Sequence, residues 1–404
     1  MLLIRLFGSD RHCLIVSSLL IGSGCVINSI TWMFFGADIV SISVVLVLLG
    51  FGFLLLFFHL RKLFVLIIFF VLIAVIILQT ALTAEDARNI WLYHAKFIFF
   101  KDSFYGALDP YDKIHPGYPA VYPALIASFF AITGGWNEVF PKIAILPFIV
   151  APTLTLARYF YGRIPHLLVC GAIVLTCKIN LVNGYVDGVL ALHFVALVFL
   201  ITAGFSHQFL RKKEISPLLL MLQVFILAAN MLSLKNEGLA LWLLLFIQLV
   251  CFRNLNCRRY IFFGLAAALL YYLASWKIPV GIFGNGTDLF EGDFSARILS
   301  RLQLPLLMAI FNGLMHDLWR WIFVLVFVKI TAKRCPFFFS NYKFAITICT
   351  VYFFLLLVIY MGTPNDLNWH LNTSAGRVVT PIAMTFAFML VHWFCGNPYL
   401  RRRV

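Results

Sequence analysis

Sixteen acidic residues in a chain of 404 are few enough to weigh one by one. Most stand in short polar breaks between long apolar runs. Glu85 and Asp86 lie in TAEDARNIWLYHAKFIFFKD. Asn183, Gly184, Tyr185 and Asp187 fall where another apolar run begins. Lys235, Asn236 and Glu237 separate two apolar runs, Asp288, Glu291 and Asp293 occupy a later break, and Asp366, His370, Asn372, Ser374 and Arg377 precede the last run. An ionisable group beside an apolar phase costs free energy, so each is a functional suspect. Two chemistries are open to such a set. A carboxyl group can take a proton from a hydroxyl. Lysine and arginine can hold an anion such as phosphate, the guanidinium as a two-pronged fork.

Each residue also has a plainer reading. Glu85 and Asp86 suit the start of a helix, and cap and proton acceptor weigh equally there. Tyr111, Tyr118 and Tyr122 in DPYDKIHPGYPAVYP can stack on a sugar or a polyprenyl chain, although an aromatic belt accounts better for any single one. His115, before Pro116, can meet a phosphate or a hydroxyl, or be a plain loop histidine. Lys235 and Glu237 can simply neutralise each other, and Arg377 can snorkel. Asp288, Glu291 and Asp293 offer oxygen ligands without the glycine-anchored spacing of a calcium loop, so a solvated acidic loop is the better reading and neither a metal nor a cofactor is expected. The nine cysteines form no CxxC pair and read as small buried hydrophobes.

What must position these groups is set by composition. The chain is 63% hydrophobic and 12% charged, against about 45–50% and about 25% in soluble domains. Lipid is the solvent that suits it. The net charge of +15 comes from short Lys/Arg clusters between apolar runs, which points to topology and anionic headgroups rather than nucleic acid. The expected fold is an all-α polytopic membrane protein, a single transmembrane domain over 1–404. About twelve spans are expected, at 13–35, 40–58, 63–82, 141–157, 164–177, 185–204, 215–232, 237–252, 259–276, 315–330, 342–361 and 377–395. The first run follows Arg5 and Arg11 as a signal peptide would, but it is long and reads as a retained span.

With the N-terminus inside, seven inner segments hold 18 of the 31 basic residues and only Asp10 and Glu214 as acids. Both termini are then cytoplasmic. Residues 119–134 would invert everything downstream if they crossed. Pro119, Pro123 and the shortness of the run let them dip into the outer leaflet instead. A first outer loop, 83–140, thus carries interfacial helices, one over 85–100 with Ile90, Tyr93, Phe97 and Phe100 at helical spacing. A second outer loop covers 277–314, with 300–313 as another interfacial piece. All five polar breaks then lie on one face.

An acid just beyond an early span, an amphipathic outer segment, His115-Pro116, a non-crossing apolar helix from Pro119 to Gly134 and Lys142 opening the next span together resemble the GT-C glycosyltransferases. The likeness is to the protein O-mannosyltransferase and aminoarabinose-transferase type, the glycosyltransferase 39-like group. It is clearest over 63–255 and 365–380, including LSLKNEGLALW and LNWHLNTSAGR. The resemblance implies a polyprenyl-phosphate sugar as donor and a lipid, glycan or protein hydroxyl as acceptor. An outer-loop acid would deprotonate that hydroxyl, which displaces the lipid phosphate with inversion. It points to Asp86 as the base and Glu85 as the fallback. Lys235, Arg377, Lys142 and His115, in that order, are candidates for the donor phosphate, and Tyr118, Tyr185, Asp187, Glu237 and His370 for the substrates.

Two other classes stand beside this. A transporter or flippase of a lipid-linked sugar suits twelve spans, though carriers usually show related halves and broken midplane helices. A glycan polymerase or ligase suits a late outer loop rich in Arg and His, and the second loop here is modest and acidic. The absence of a luminal domain favours a bacterial inner membrane. Cysteine labelling from each side of the membrane tests the topology: Asn137 is expected to label from outside and Arg163 from inside, and the reverse pair of results overturns it.

Overall fold

The computed structural model describes residues 10–36, 40–57, 60–81, 85–105, 118–135, 137, 139–160, 163–205, 216–251, 258–280, 293–331 and 342–396. Every regular element among these is helical. In chain order the α-helices begin with α1 (Asp10–Phe35), α2 (Val40–Phe57) and α3 (Leu60–Gln79). A π-helical turn, Ala87–Leu92, leads into α4 (Tyr93–Lys101), followed by α5 (Val121–Thr133), α6 (Leu146–Tyr159) and α7 (Arg163–Cys177). Then come α8 (Asp187–Phe205), α9 (Pro217–Leu232), α10 (Glu237–Cys251) and α11 (Arg258–Tyr272). The last described helices are α12 (Phe294–Arg301), α13 (Leu304–Thr331), α14 (Lys343–Gly362), α15 (Leu367–Val378) and α16 (Thr380–Gly396).

Among the described residues seven helical stretches are long and apolar enough to cross a bilayer: Cys13–Phe35, Lys142–Tyr159, Arg163–Leu181, Arg258–Lys277, Leu304–Phe327, Lys343–Gly362 and Leu367–Cys395. Five apolar helices are shorter, Phe64–Gln79, Val121–Thr133, Asp187–Thr202, Pro217–Leu232 and Glu237–Cys251. The chain is an all-α, multi-pass membrane protein.

One helix organises the bundle. Every residue of α8 from Asp187 to Ile201 is buried. A helix that is apolar all round has no face to spare for solvent, and here α6, α9, α14, α15 and α16 surround it. Asp187 stands in the first turn of this rod, where the helix dipole favours an acid. Nothing in an unbroken apolar run separates a helix ringed by protein from one facing lipid.

The short helix α5 has 13 residues, about 20 Å at 1.5 Å per residue, well below the ~30 Å of a hydrocarbon core. Most of its surface is turned to protein. Nine of its residues are buried, and it packs on α1 and α4. Ser128 ties it to α1, accepting from Trp32 Nε1 at 2.8 Å and donating to Asn28 Oδ1 at 2.6 Å. The segment from 85 is helical as expected, but its inward stripe is Ala87, Ile90, Trp91, His94, Ala95 and Ile98. Of the four expected apolar positions only Ile90 is buried, and Phe100 is exposed. The π-helical turn widens the first part of this stripe so that adjacent positions 90 and 91 both face in.

Of residues 300–313, expected as a separate interfacial piece, 300 and 301 end α12 and 304–313 are the first turns of the 28-residue α13. No break separates them from the apolar run beyond, because neither the Gly313 nor the His316-Asp317 position stops a helix that is supported on α15 and α16. Before it lies α12, a one-sided helix. Asp293 caps it by accepting from the Ala296 amide at 2.9 Å, which gives this acid a local structural task. Arg297 donates to Gly362 O at 2.8 Å, and Arg301 to Thr363 O at 2.8 Å and Tyr360 O at 3.0 Å. These arginines supply donors to the carbonyls that the end of α14 leaves open.

Candidate functional site

Three polar breaks and the helix from residue 85 meet at the head of α8. Lys235 Nζ lies 3.0 Å from Asp187 Oδ1, 3.1 Å from Glu237 Oε1 and 3.9 Å from Asp86 Oδ2. Arg377 Nη1 lies 3.1 Å from Asp86 Oδ2 and 3.4 Å from Asp187 Oδ2. Two cations therefore share three carboxyl groups. The set is graded in depth: the side chains of Asp187 and Lys235 are 6% exposed, those of Arg377 and Asp86 16% and 20%, and that of Glu237 33%. A buried pair at one end opens into an accessible acid at the other.

Each member is placed by a local feature. The Asp86 backbone is already helical, and its side chain makes no cap hydrogen bond. The carboxylate instead accepts from Arg377, so the cap reading does not describe it. Glu85, its neighbour, is exposed and has no ion-pair partner among the described residues. Lys235 and Glu237 come from a tight turn in which the Gly238 amide donates to Lys235 O at 2.9 Å. There α10 starts hard against the end of α9: a Cβ at Gly238 would stand 2.1 Å from Met231 O. Arg377 projects from α15, with its guanidinium carbon 4.0 Å from the centroid of the Tyr185 ring, a cation–π contact. Asn183 Oδ1 accepts from the Tyr185 amide at 3.2 Å, bracing the backbone there.

Burial by itself works against the Lys235 ammonium. The Asp187 and Glu237 carboxylates outweigh it and hold the lysine well above its ordinary pKa of 10.5. Burial likewise pushes the Tyr118 phenol up; the Glu237, Asp86 and Asp187 carboxylates add to this and Lys235 opposes it. Tyr118 is thus a neutral hydroxyl beside a charged cluster. His370 packs on Tyr360 with ring centroids 4.7 Å apart. Its Nδ1 is buried and takes no hydrogen bond within the described residues, as do Glu237 Oε2, Asn236 Oδ1 and Tyr272 OH.

Of the residues singled out from the sequence, Asp86, Asp187, Lys235, Glu237, Arg377, Tyr185 and Tyr118 are brought together, with His370 beside Tyr360 on the same helix as Arg377. Lys142 is not part of the cluster: its ammonium donates to Leu78 O at 2.9 Å and Thr80 O at 3.0 Å, closing the end of α3. Tyr111, His115, Asp288 and Glu291 lie outside the described residues. Sequence reasoning passed over Tyr360, whose hydroxyl shares a hydrogen bond with that of Ser374. It also passed over a second charged group, Lys178, Asp317 and Arg320. An acid at 317 inside an apolar run was the available signal.

The chain matches no protein-family model, no curated protein and no solved structure. Its chemistry rests on the site alone.

The arrangement holds one more carboxyl group than cations, and it keeps one carboxyl oxygen, Glu237 Oε2, with no protein hydrogen bond among the described residues. It can therefore accept a proton or a hydroxyl group without losing the charge pairing in its floor. The close approach at Gly238 sets the position of both Lys235 and Glu237. Gly238→Ala is expected to force α9 and α10 apart and cost about 1–3 kcal/mol, read as a lowered thermal midpoint of the detergent-solubilised protein. A midpoint equal to wild type would remove that constraint from the account.

Proposed function

We propose that the chain is a membrane glycosyltransferase that moves a sugar from a polyprenyl-phosphate donor to an acceptor hydroxyl, with inversion. In this reading about twelve spans place the site on the outer face of a bacterial inner membrane, with both termini cytoplasmic. The observation that carries it is the graded cluster: a partly exposed carboxyl group, Asp86, held by a guanidinium that is itself anchored on a buried carboxylate.

Asp86 acts as the general base. It accepts the acceptor's hydroxyl proton through the oxygen that Arg377 does not occupy, as the hydroxyl oxygen attacks the anomeric carbon. The bond from that carbon to the phosphate oxygen breaks, and its electron pair leaves on the phosphate. Phosphate is a good leaving group, so a nearby cation matters more than a proton donor. Arg377 is better placed for that than Lys235, which three carboxyl groups surround. Glu237, Tyr118 and His370 offer hydrogen bonds to hydroxyl-bearing substrates.

A carrier of a lipid-linked sugar is the second reading. The buried Asp187–Lys235 pair favours it, because paired charges inside helix bundles also serve ion-coupled transport.

The test is sugar transfer from a polyprenyl-phosphate donor by purified, reconstituted protein, with donor affinity measured separately. Asp86→Asn keeps an oxygen for Arg377 but accepts no proton at neutral pH. It is expected to lower transfer by about 10²–10⁴-fold with donor affinity nearly unchanged. Arg377→Ala is expected to weaken donor binding as well. Full transfer in Asp86→Asn, Glu85→Gln and Asp187→Asn alike would discard this mechanism in favour of the carrier.

A further inference from the structure

A second polar recess opens beside the cluster, on the other side of Arg377. It has a volume of about 160 Å³ and lies between the end of α7 and helices α13, α15 and α16. Lys178, Arg320, Arg377 and Asp317 line it, so three cations face one carboxylate. Lys178 Nζ and Arg320 Nη2 both donate to the same atom, Asp317 Oδ1, at 2.9 and 2.8 Å. Each cation has further N–H groups beyond that single contact, and both side chains are about half exposed. The side-chain amides of Asn180 and Asn372, also on the lining, donate to no side chain or backbone group among the described residues. The recess is rich in uncommitted donors and poor in negative charge.

Two features of the backbone hold this arrangement. Lys178 sits at a left-handed backbone position, φ +52°, at the end of α7, where a glycine is the easier occupant. Gly376 lets α15 come against Asp317, whose Oδ2 would stand 2.7 Å from a Cβ there. The surroundings are apolar and outward-facing: Leu175 on the rim, Ile179 beside Lys178, and Trp319 and Phe323 flanking Arg320 along α13 are all exposed. Cations next to exposed aromatic and aliphatic side chains are the pattern of a membrane–water boundary.

We propose that this recess binds the phosphate group of a membrane amphiphile, with Lys178 and Arg320 as its cationic ligands and the apolar rim against the chain. The site does not depend on sugar transfer: it requires a phosphate on a lipid tail and nothing else. Arg377 belongs to both the recess and the ion cluster, so one guanidinium joins the two. Binding there is an electrostatic and hydrogen-bonding event with no bond made or broken.

The experiment uses the full chain in phosphatidylcholine nanodiscs, titrated with hexadecyl phosphate, with hexadecanol and inorganic phosphate as separate arms. Wild type is expected to bind hexadecyl phosphate saturably, and neither hexadecanol nor inorganic phosphate comparably. Arg320→Gln is expected to weaken binding by about tenfold. Lys178→Gly is expected to do the same while relieving its backbone, so the loss is not a folding defect. Asp317→Asn separates the proposal from a purely structural ion triad. It removes the carboxylate charge that holds the triad together but leaves both cations, and is expected to bind hexadecyl phosphate as tightly as wild type or tighter. Loss of binding in Asp317→Asn together with the other two would overturn the proposal, as would unchanged binding in Lys178→Gly and Arg320→Gln. Inorganic phosphate bound as tightly as hexadecyl phosphate would overturn the amphiphile in favour of a soluble anion. Because no sugar is present, a failed transfer assay leaves this result standing, and the reverse holds too.

Discussion

An ammonium group in the interior of a helix bundle must be compensated from several directions at once. Lys235 is that group here, with Asp187, Glu237 and Asp86 around it. Removing an ion from water costs several kcal/mol even after relaxation. One carboxylate at good distance seldom returns that much, and several with hydrogen bonds can. The three acids come from the head of α8, the α9–α10 turn and the helix beginning at 85. The bundle thus cannot place any one of these elements freely. The same demand reaches α15, because Arg377 has to be present for Asp86 and Asp187 to be balanced.

The rest of the fold is consistent with that demand. α8 is buried from Asp187 to Ile201 and acts as a post whose head carries the deepest acid. α9 and α10 meet so closely at Gly238 that their turn has little room to move. α5 locks onto α1 through Ser128, and Tyr118, just before it, packs edge-on against Trp91. Rigidity is what a site for proton or anion chemistry needs, since a carboxylate displaced by an ångström no longer meets its proton. The exposed end of the cluster, at Glu237 and Asp86, is where a substrate can reach it.

Much of this cluster was legible in the sequence because charge is conspicuous in so apolar a chain. Asp86, Lys235, Glu237 and Arg377 each interrupt a run, and the cost of placing them beside lipid was reason enough to group them. Three things were not legible. The partners of Asp86 depend on a packing angle that no local pattern encodes, so cap and proton acceptor looked equal. Lys142 looked like a phosphate ligand, yet the open carbonyls ending α3 claim it, a demand visible only once the two helix ends are neighbours. Asp317 was hidden inside an apolar run, flanked by Trp319, Arg320 and Trp321, and neither it nor its partners Lys178 and Arg320 stood out. The extent of the apolar runs was readable, but which of them face lipid was not, because lipid and protein interior select the same side chains.

The central claim is that the five charged side chains at the head of α8 form one mutually compensated unit. Thermal unfolding of the Lys235→Met protein, with and without Asp187→Asn, tests this most directly. Losing the ammonium alone leaves three carboxyl groups to one cation, and is expected to cost about 3–5 kcal/mol. Neutralising Asp187 as well removes part of that excess charge, so the double variant is expected to melt above Lys235→Met and below wild type. A double variant that melts lower than Lys235→Met, by the sum of two independent losses, would contradict the account.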